Sequence, residues 1–398
     1  MAKAEHLLAV NTGSSSVKFA VFGPDLARRL HGTLEGIGIN PVLKVSAAVG
    51  APARAVDWHG PDTDDVPHLI RRIIGWITER LDGGGLAAIG HRIAVGGTDY
   101  DGPVVVTDAV LEKLRALQPL APLHLPRSLE AIAALAATHG RIPQVACFDT
   151  AFHRTMPPLA QLYALPRELA QAGARRYGFH GLSYEYVAGR LPAIDAGAAS
   201  GRTIVCHLGS GASLCALKAG KSVATTMGFS PLSGLVMGTR AGDLDPGLII
   251  WLIRDRGMSV DEVERMLYHD AGLRGFSGLS ADMRTLLASA DPRAGEAVDL
   301  FVNRIVVEIG SLAATLGGLD ALVFTGGIGE RSPEIRAAVC AGSAWLGVGL
   351  DEARNRAGET KIGAPASAVS VLMVPTDEER VMAMHTARLV FGKAGAAE

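Results

Sequence analysis

The stretch LAVNTGSSSVKFAVF, Leu8 to Phe22, decides how this chain reads. An apolar strand runs into Asn11-Thr12-Gly13-Ser14-Ser15-Ser16, and a second apolar strand, Val17 to Phe22, follows at once. A tight Gly/Ser turn between strands gathers backbone N–H groups and hydroxyls at one point, and can hold phosphate without a helix N-terminus. A similar unit recurs mid-chain: Ile204-Val205-Cys206-His207-Leu208, then Gly209-Ser210-Gly211-Ala212, then Ser213 to Leu217. Two such hairpins point to a duplicated fold with nucleotide between its halves. Each one alone also reads as an ordinary β-hairpin.

At 398 residues the chain is expected to form two domains, since single cores stop growing at about 250–300 residues. With 48% hydrophobic and 20% charged residues it is globular. A net charge of −2 argues against nucleic acid or anionic membrane as partners. No apolar run reaches the roughly 20 residues of a membrane span, and Met1 to His6 enters a strand without the apolar core of a secretion signal. Cys147, Cys206, Cys215 and Cys340 are scattered and lack C-x-x-C spacing. The expectation is a reduced, cytoplasmic protein with buried thiols and no structural zinc.

Hydrophobic periodicity predicts strands at 7–10, 17–22 and 27–34, helices at 64–81, 108–117 and 126–138, and strands at 86–91 and 144–149. Gly83-Gly84-Gly85 reads as a C-cap run after the first helix. The second half repeats the theme, with strands at 203–208, 213–218 and 221–226 and helices at 246–256, 259–268 and 294–316. A strand at 320–325 ends in Gly326-Gly327-Ile328-Gly329, a last strand spans 369–374, and a helix from 377 to 392 follows. A three-strand meander followed by alternating helices and strands, twice over, indicates an α/β fold with mixed sheets. The boundary is expected just after Asp149, with domains at 1–150 and 151–384 and the segment 385–398 packing back on the first.

Familiar phosphate motifs are excluded. Gly220-Lys221-Ser222 resembles the end of a P-loop, but position 215 is Cys where Gly is required, and neither Gly209-Ser210-Gly211 nor Gly327-Ile328-Gly329 gains the third glycine of a dinucleotide fingerprint. Polar residues at strand ends remain. Asp149 follows Val145-Ala146-Cys147-Phe148, a common place for Mg²⁺ coordination, or else a helix N-cap. Glu378 reads as a metal ligand or as the first turn of the last helix, and Thr376 with Glu379 fits a capping box. Arg92 and Arg240 read as arginines on Gly-flanked loops, suited to bidentate recognition of phosphoryl or carboxylate oxygens. His124 and His180 sit among Pro, Gly and aromatic residues that stiffen their loops, and no histidine spacing supports a bound metal.

These motifs resemble one family, acetate kinase with its propionate and butyrate kinase relatives, in the superfamily of actin-like and sugar-kinase ATPases. The likeness spans Asn11 to Lys18, Gly90 to Gly97, Ala121 to His124, Phe148 to Pro157, Tyr177 to Gly181, His207 to Gly211, Met237 to Arg240, Phe324 to Glu330 and Pro375 to Glu378. The resemblance implies a duplicated actin-like (ribonuclease H-like) fold, two mixed-sheet domains with a central cleft that close over the substrates. The activity implied is reversible in-line phosphoryl transfer from ATP to acetate, by a homodimer using Mg²⁺, with Mn²⁺ able to substitute.

Carried over by position, the resemblance implies that Asn11 and Glu378 hold Mg²⁺, while Ser14, Ser16 and Lys18 lie at the phosphates. Arg92 would engage the acyl substrate, Asp149 would be an active-site carboxylate, and His180 and Arg240 would stabilise the moving phosphoryl group. His207, Leu208, Gly209, Ser210 and Gly211, with Gly327, Ile328, Gly329, Glu330 and Arg331, would line the nucleotide cleft, and Asp282, Met283 and Arg284 would lie beside base and ribose. His124 would have a secondary role. A carboxylate substrate, with a pKa near about 4, is ionised at neutral pH. Asp149 is therefore assigned to metal positioning and orientation above proton abstraction. Ser210 and Arg331 stand where the family usually has Asn, which leaves nucleotide preference open, and Val95 and Leu125 replace a usual His and Asn. Ala94 replaces a usual Val in the wall around the substrate methyl, with Leu123, Phe179 and Pro231 as further lining. The missing methyls make room for about one methylene, worth ~0.8 kcal/mol, so propionate is expected as a substrate.

Overall fold

The run His6–Thr12 forms β1, with all residues after His6 buried, as a central strand covered on both faces requires. The computed structural model describes residues 6–13, 16–37, 40–46, 54–57, 65–81, 85–120 and 125–392. β2 (Ser16–Phe22) returns antiparallel to β1 and sets Lys18 opposite Asn11. β3 (Arg28–Glu35), β4 (Val42–Ser46) and β5 (Arg54–Asp57) extend the antiparallel meander. On the other side of β1 lies β6 (Leu86–Ile93) in parallel. The short β7 (Val104–Val105) then pairs antiparallel with β8 (Gln144–Phe148), which runs parallel to β6.

The second sheet opens with another antiparallel meander, β9 (Arg202–Leu208), β10 (Ala212–Lys218) and β11 (Lys221–Thr225). β12 (Ala321–Thr325) and β13 (Ser370–Met373) then add in parallel beside β9. The order β11-β10-β9-β12-β13 repeats the order β3-β2-β1-β6-β8 of the first sheet, with the same pattern of parallel and antiparallel neighbours. The sheets belong to two compact units. One is built from the chain up to Ala151 together with the segment from Asp377 onward, the other from Phe152–Thr376.

In the first unit, Ile70, Ile73, Ile74 and Ile77 of helix Val66–Thr78 join Ala131 and Leu135 of helix Leu125–His139 against Leu8, Val10, Phe19 and Ile89. Gly90, next to Ile89, faces the other side of the sheet, since strand neighbours alternate. Helix Glu378–Phe391 packs there, and a Cβ on Gly90 would lie 2.5 Å from Thr386 Oγ1 and 3.3 Å from the Met382 carbonyl. The missing side chain lets this helix close on the sheet and so seats Glu378.

Several expectations need correcting. The first meander has five strands, not three, because β4 and β5 pair onward from β3. The first helix stops at Thr78 with Glu79 as its C-cap, and most of the expected Gly cap (Gly83, Gly84) lies outside the described residues. The last helix is capped by Asp377, whose carboxylate accepts from Arg380 N, so the capping box read from Thr376 and Glu379 does not form. Gly326-Gly327-Ile328-Gly329 opens a short helix, Gly326–Arg331.

Arg336, 1% exposed, anchors that short helix. Its Nη1 donates to the Gly329 and Glu330 carbonyls (2.9 Å each), while Nε and Nη2 donate to Asn355 Oδ1 and O (2.7 Å each). Arg336→Met leaves these acceptors unpaired, and we expect unfolding free energy to fall by about 3 kcal/mol. Urea denaturation measures this, and a loss under about 1 kcal/mol would show that the network is not structural.

Candidate functional site

The first unit gathers four polar side chains, Asn11, Arg92 and Asp149 at the ends of strands and Glu378 at the start of the last helix. β8 stops at Phe148, and Asp149, 1% exposed, donates its N–H to the Ile93 carbonyl (3.0 Å). Its Oδ2 accepts from Arg92 Nε (2.8 Å) and Nη2 (2.6 Å). Arg92 Nη1 reaches Asn11 Oδ1 at 3.3 Å and Glu378 Oε2 at 3.4 Å, and Asn11 Nδ2 donates to Glu378 Oε2 (3.3 Å). Burial works against the Arg92 charge, but the Asp149 and Glu378 carboxylates outweigh it and hold the guanidinium above its ordinary pKa. Burial, then repulsion from Glu378, pushes the neighbouring Glu379 carboxyl up.

Arg92 is not on a loop. β6 runs to Ile93 because Arg92 pairs with Cys147 of β8, so the guanidinium projects from a strand. The donor set near it, the Asn11 amide oxygen with the Asp149 and Glu378 carboxylates, is all hard oxygen. Mg²⁺ takes one or two protein carboxylates and completes its shell with water and phosphate, so this set fits it.

In the second unit, His180 holds a left-handed backbone (φ 58°, ψ 24°) just before helix Gly181–Ile194. Buried His153 fixes that turn: its Nε2–H donates to the Phe179 carbonyl (2.9 Å), and its Nδ1 meets Ser222 Oγ (2.9 Å). Burial pulls His153 down to about 4, so it stays neutral. His180 stacks on His207 of β9, with centroids 4.3 Å apart. Each of these rings has a serine at Nδ1, with Ser213 Oγ at 2.8 Å from His180 and Ser183 Oγ at 2.8 Å from His207.

Arg240 lies in the loop Met237-Gly238-Thr239-Arg240, and that loop is clamped by its backbone. Met237 N donates to Arg240 O, while Ala271 N, Leu273 N and Arg274 N donate to the Thr239, Met237 and Gly238 carbonyls. Gly272 (φ +63°) permits this, since a Cβ there would overlap the Met237 carbonyl. Arg240 Nη1 donates to Pro231 O (2.9 Å), and Arg240 forms no ion pair among the described residues of its unit. Burial pulls its pKa below the ordinary value, yet a guanidinium keeps its charge. A Cβ on Gly211 would lie 3.1 Å from Arg240 Nη2 and 3.2 Å from His180 Nε2. Both nitrogens therefore border the space above a residue that has no side chain.

The remaining expected residues divide between the units. Ser16, Lys18 and Ala94 lie in the first, with Lys18 exposed on β2. Ser14, Leu123 and His124 lie outside the described residues. In the second unit, Gly209 N closes the β9–β10 turn on Gly211 O (3.1 Å), and Gly238 N donates to Ser210 O (3.0 Å). Leu208 and Phe179 are buried. Gly327, Ile328 and Arg331 lie on the short helix after β12, whereas Glu330 turns to backbone, its Oε1 accepting from Gly326 N and Thr376 N (3.1 Å each). Asp282 accepts from Arg284 N and from its side chain, beside buried Met283. Sequence reasoning missed His153, Ser213, Tyr184 and Gly272 as site residues; the rigid loop read around His180 is the nearest signal to them.

Two mixed sheets of one strand order, each with polar groups at its strand ends, define a duplicated α/β protein. The family model described as the Acetokinase family matches residues 6–384. Acetate kinase of Rhodopseudomonas palustris is 50% identical over 394 residues, covering 97% of this chain and 98% of that protein. Acetate kinase of Rhizobium meliloti is 49% identical over 387 residues, covering 96% and 98%. Among solved structures, a propionate kinase from Francisella tularensis superposes with TM-score 0.89 at 36% identity, covering 97% of this chain and 100% of that one. Porphyromonas gingivalis acetate kinase superposes with TM-score 0.85 at 34% identity, with the same coverage. The chain belongs to the acetokinase family, and thus to the kinases.

Gly211→Ala places a methyl where the two donors meet. Gly211 has no positive φ, so the fold should tolerate it, but displacing both donors by a fraction of an ångström should cut phosphoryl transfer about a hundredfold. Steady-state kinetics beside circular dichroism test this, and an unchanged rate would mean that the pair never meets the transferred group.

Proposed function

We propose that the protein transfers the γ-phosphoryl group of ATP to acetate, reversibly, giving acetyl phosphate and ADP. A carboxylate oxygen of acetate attacks γ-phosphorus as the bond to the β,γ-bridging oxygen breaks, and that electron pair leaves on ADP. The acceptor is already ionised (pKa near about 4), so no base is needed. The observation that carries the reading is the convergence of Arg240 Nη2 and His180 Nε2 above Gly211. Donors preorganised where charge shifts are the main catalytic equipment of phosphoryl transfer.

Within this reading His180 and Arg240 bind the moving phosphoryl group, and the Gly209–Gly211 turn and the Gly327–Arg331 segment approach the nucleotide. Asp149 aligns Arg92 towards the acetate carboxylate. Asn11 and Glu378 are the proposed Mg²⁺ ligands, with Mn²⁺ as a substitute. Held by Asn11 and Glu378, such an ion would supply positive charge to offset that of the phosphates. We also assign a homodimer. Helix Pro246–Arg254 has no buried side chain, and Ile250, Trp251 and Leu248 are 51%, 45% and 40% exposed, an apolar surface suited to a second copy. Cys147, Cys206, Cys215 and Cys340 are all buried, which suits the reducing cytoplasm.

The decisive assay is acetate-dependent ADP formation with Mg²⁺. Arg240→Ala should lower kcat about a thousandfold, and acetate-independent turnover in the parent protein would sink the assignment. Propionate is the second expected substrate, because Ala94 stands where Val is usual and a propionate kinase is among the structural relatives. Ala94→Val should lower the propionate-to-acetate ratio of kcat/KM about fourfold; a constant ratio removes Ala94 from the specificity pocket.

A further inference from the structure

His180 stands at the head of a buried chain of hydroxyls. Tyr184, in the first turn of helix Gly181–Ile194, and Ser213, on β10, are both 0% exposed. Tyr184 Oη lies 2.5 Å from Ser213 Oγ, and Ser213 Oγ lies 2.8 Å from His180 Nδ1. The Tyr184 ring is wedged among Phe152, His153 and His207, so its hydroxyl has one direction open to it.

Proton accounting settles the direction of the chain. Burial pushes the Tyr184 phenol well above its ordinary pKa, so it keeps its proton. A buried O–H that donates to nothing is costly, and among the described residues Ser213 Oγ is the one hydrogen-bond partner of this hydroxyl. Tyr184 therefore donates to Ser213. Ser213 has a single proton of its own, and with Tyr184 donating, that proton points to His180 Nδ1. Nδ1 must then be the acceptor, and the ring proton sits on Nε2. This is the nitrogen that meets Arg240 Nη2 above Gly211.

We propose that Tyr184 and Ser213 are positioning residues that hold His180 as the neutral Nε2–H tautomer, so that it donates a hydrogen bond to the transferring phosphoryl group. The inference rests on the functional reading above, which places that group beside Nε2. The relay works against both alternatives. Moving the ring proton to Nδ1, or adding a second one there, would set it against the Ser213 proton. Either event needs Ser213 to turn back on Tyr184 and leaves a buried hydroxyl proton without an acceptor. A donor fixed before the substrate arrives needs no reorganisation during the reaction.

The test reads the tautomer directly. In full-length protein with ¹⁵N-labelled histidine, the ring nitrogen shifts distinguish Nε2–H from Nδ1–H, and His180→Gln serves to assign the resonances. The parent protein should show His180 as Nε2–H. Tyr184→Phe keeps the ring and removes the first donor, and Ser213→Ala removes the link. Both should turn the His180 signature into a mixture of tautomers, and both should lower kcat about tenfold, the size of one hydrogen bond, with KM for ATP and acetate changed less than about twofold. A parent signature of Nδ1–H, or an Nε2–H signature that survives both substitutions, overturns the relay. The first of these needs no variant to fold. If the parent shows Nε2–H that the substitutions disturb, yet makes no ADP with acetate, the relay stands and the proposed reaction falls.

Discussion

Arg240 is a cation drawn partly out of water with no carboxylate beside it in its own unit. Burying an unpaired charge costs several kcal/mol unless something compensates it. One carbonyl, that of Pro231, is a weak partner for such a group. On the proposed reading its complement is an anion brought by the substrate, and the site gains on binding what the fold gave up. Arg92 is the opposite case, since Asp149 and Glu378 already neutralise it. One arginine is thus aligned by the protein and the other left for a ligand to satisfy, as expected if one positions and the other stabilises moving charge.

Such a device works only if the cation cannot relax. The Arg240 loop has its N–H and carbonyl groups tied to the turn at 271–274, and its path exists because Gly272 lacks a Cβ. His180 is pinned through the Phe179 carbonyl by neutral His153. The rigidity sits in backbone and neutral hydrogen bonds, which leave the electrostatic demand of Arg240 unmet.

Much of this was legible in the sequence because it lies where patterns change. Apolar runs stopped by Asn11, Asp149 or the Gly209–Gly211 turn mark strand ends, and a parallel α/β sheet places its ligand groups there. Elements without such contrast were missed. β4 and β5 lack a clear apolar alternation, and Gly326–Arg331 was not read as a helix because a six-residue helix rich in Gly has no period to detect. Arg92 read as a loop residue, since nothing local shows that β8 pairs as far as Phe148. Thr376 and Glu379 had the spacing of a capping box, but the helix starts one residue later, so Asp377 takes the cap and accepts from Arg380 N. Tyr184 and Ser213 look like core residues in sequence; only their placement at 2.5 Å gives them a chemistry.

The repeated strand order shows how one topology presents two different sets of groups at its strand ends. Towards their ends, corresponding strands present Asn11 and Arg92 in the first unit, and His207 and then glycine-rich segments in the second. β1 and β6 carry Asn11 and Arg92 near their ends, whereas β9 runs into Gly209 and β12 into Gly326 and Gly327. Side chains at strand ends supply charge at a distance, and glycines let a ligand reach the main chain itself. On the proposed reading the phosphoryl donor needs close backbone approach along its phosphates, and the small carboxylate acceptor needs an oriented cation. A duplicated sheet can meet both needs without changing its fold, because each requirement is set by a few residues at the ends of the same strands.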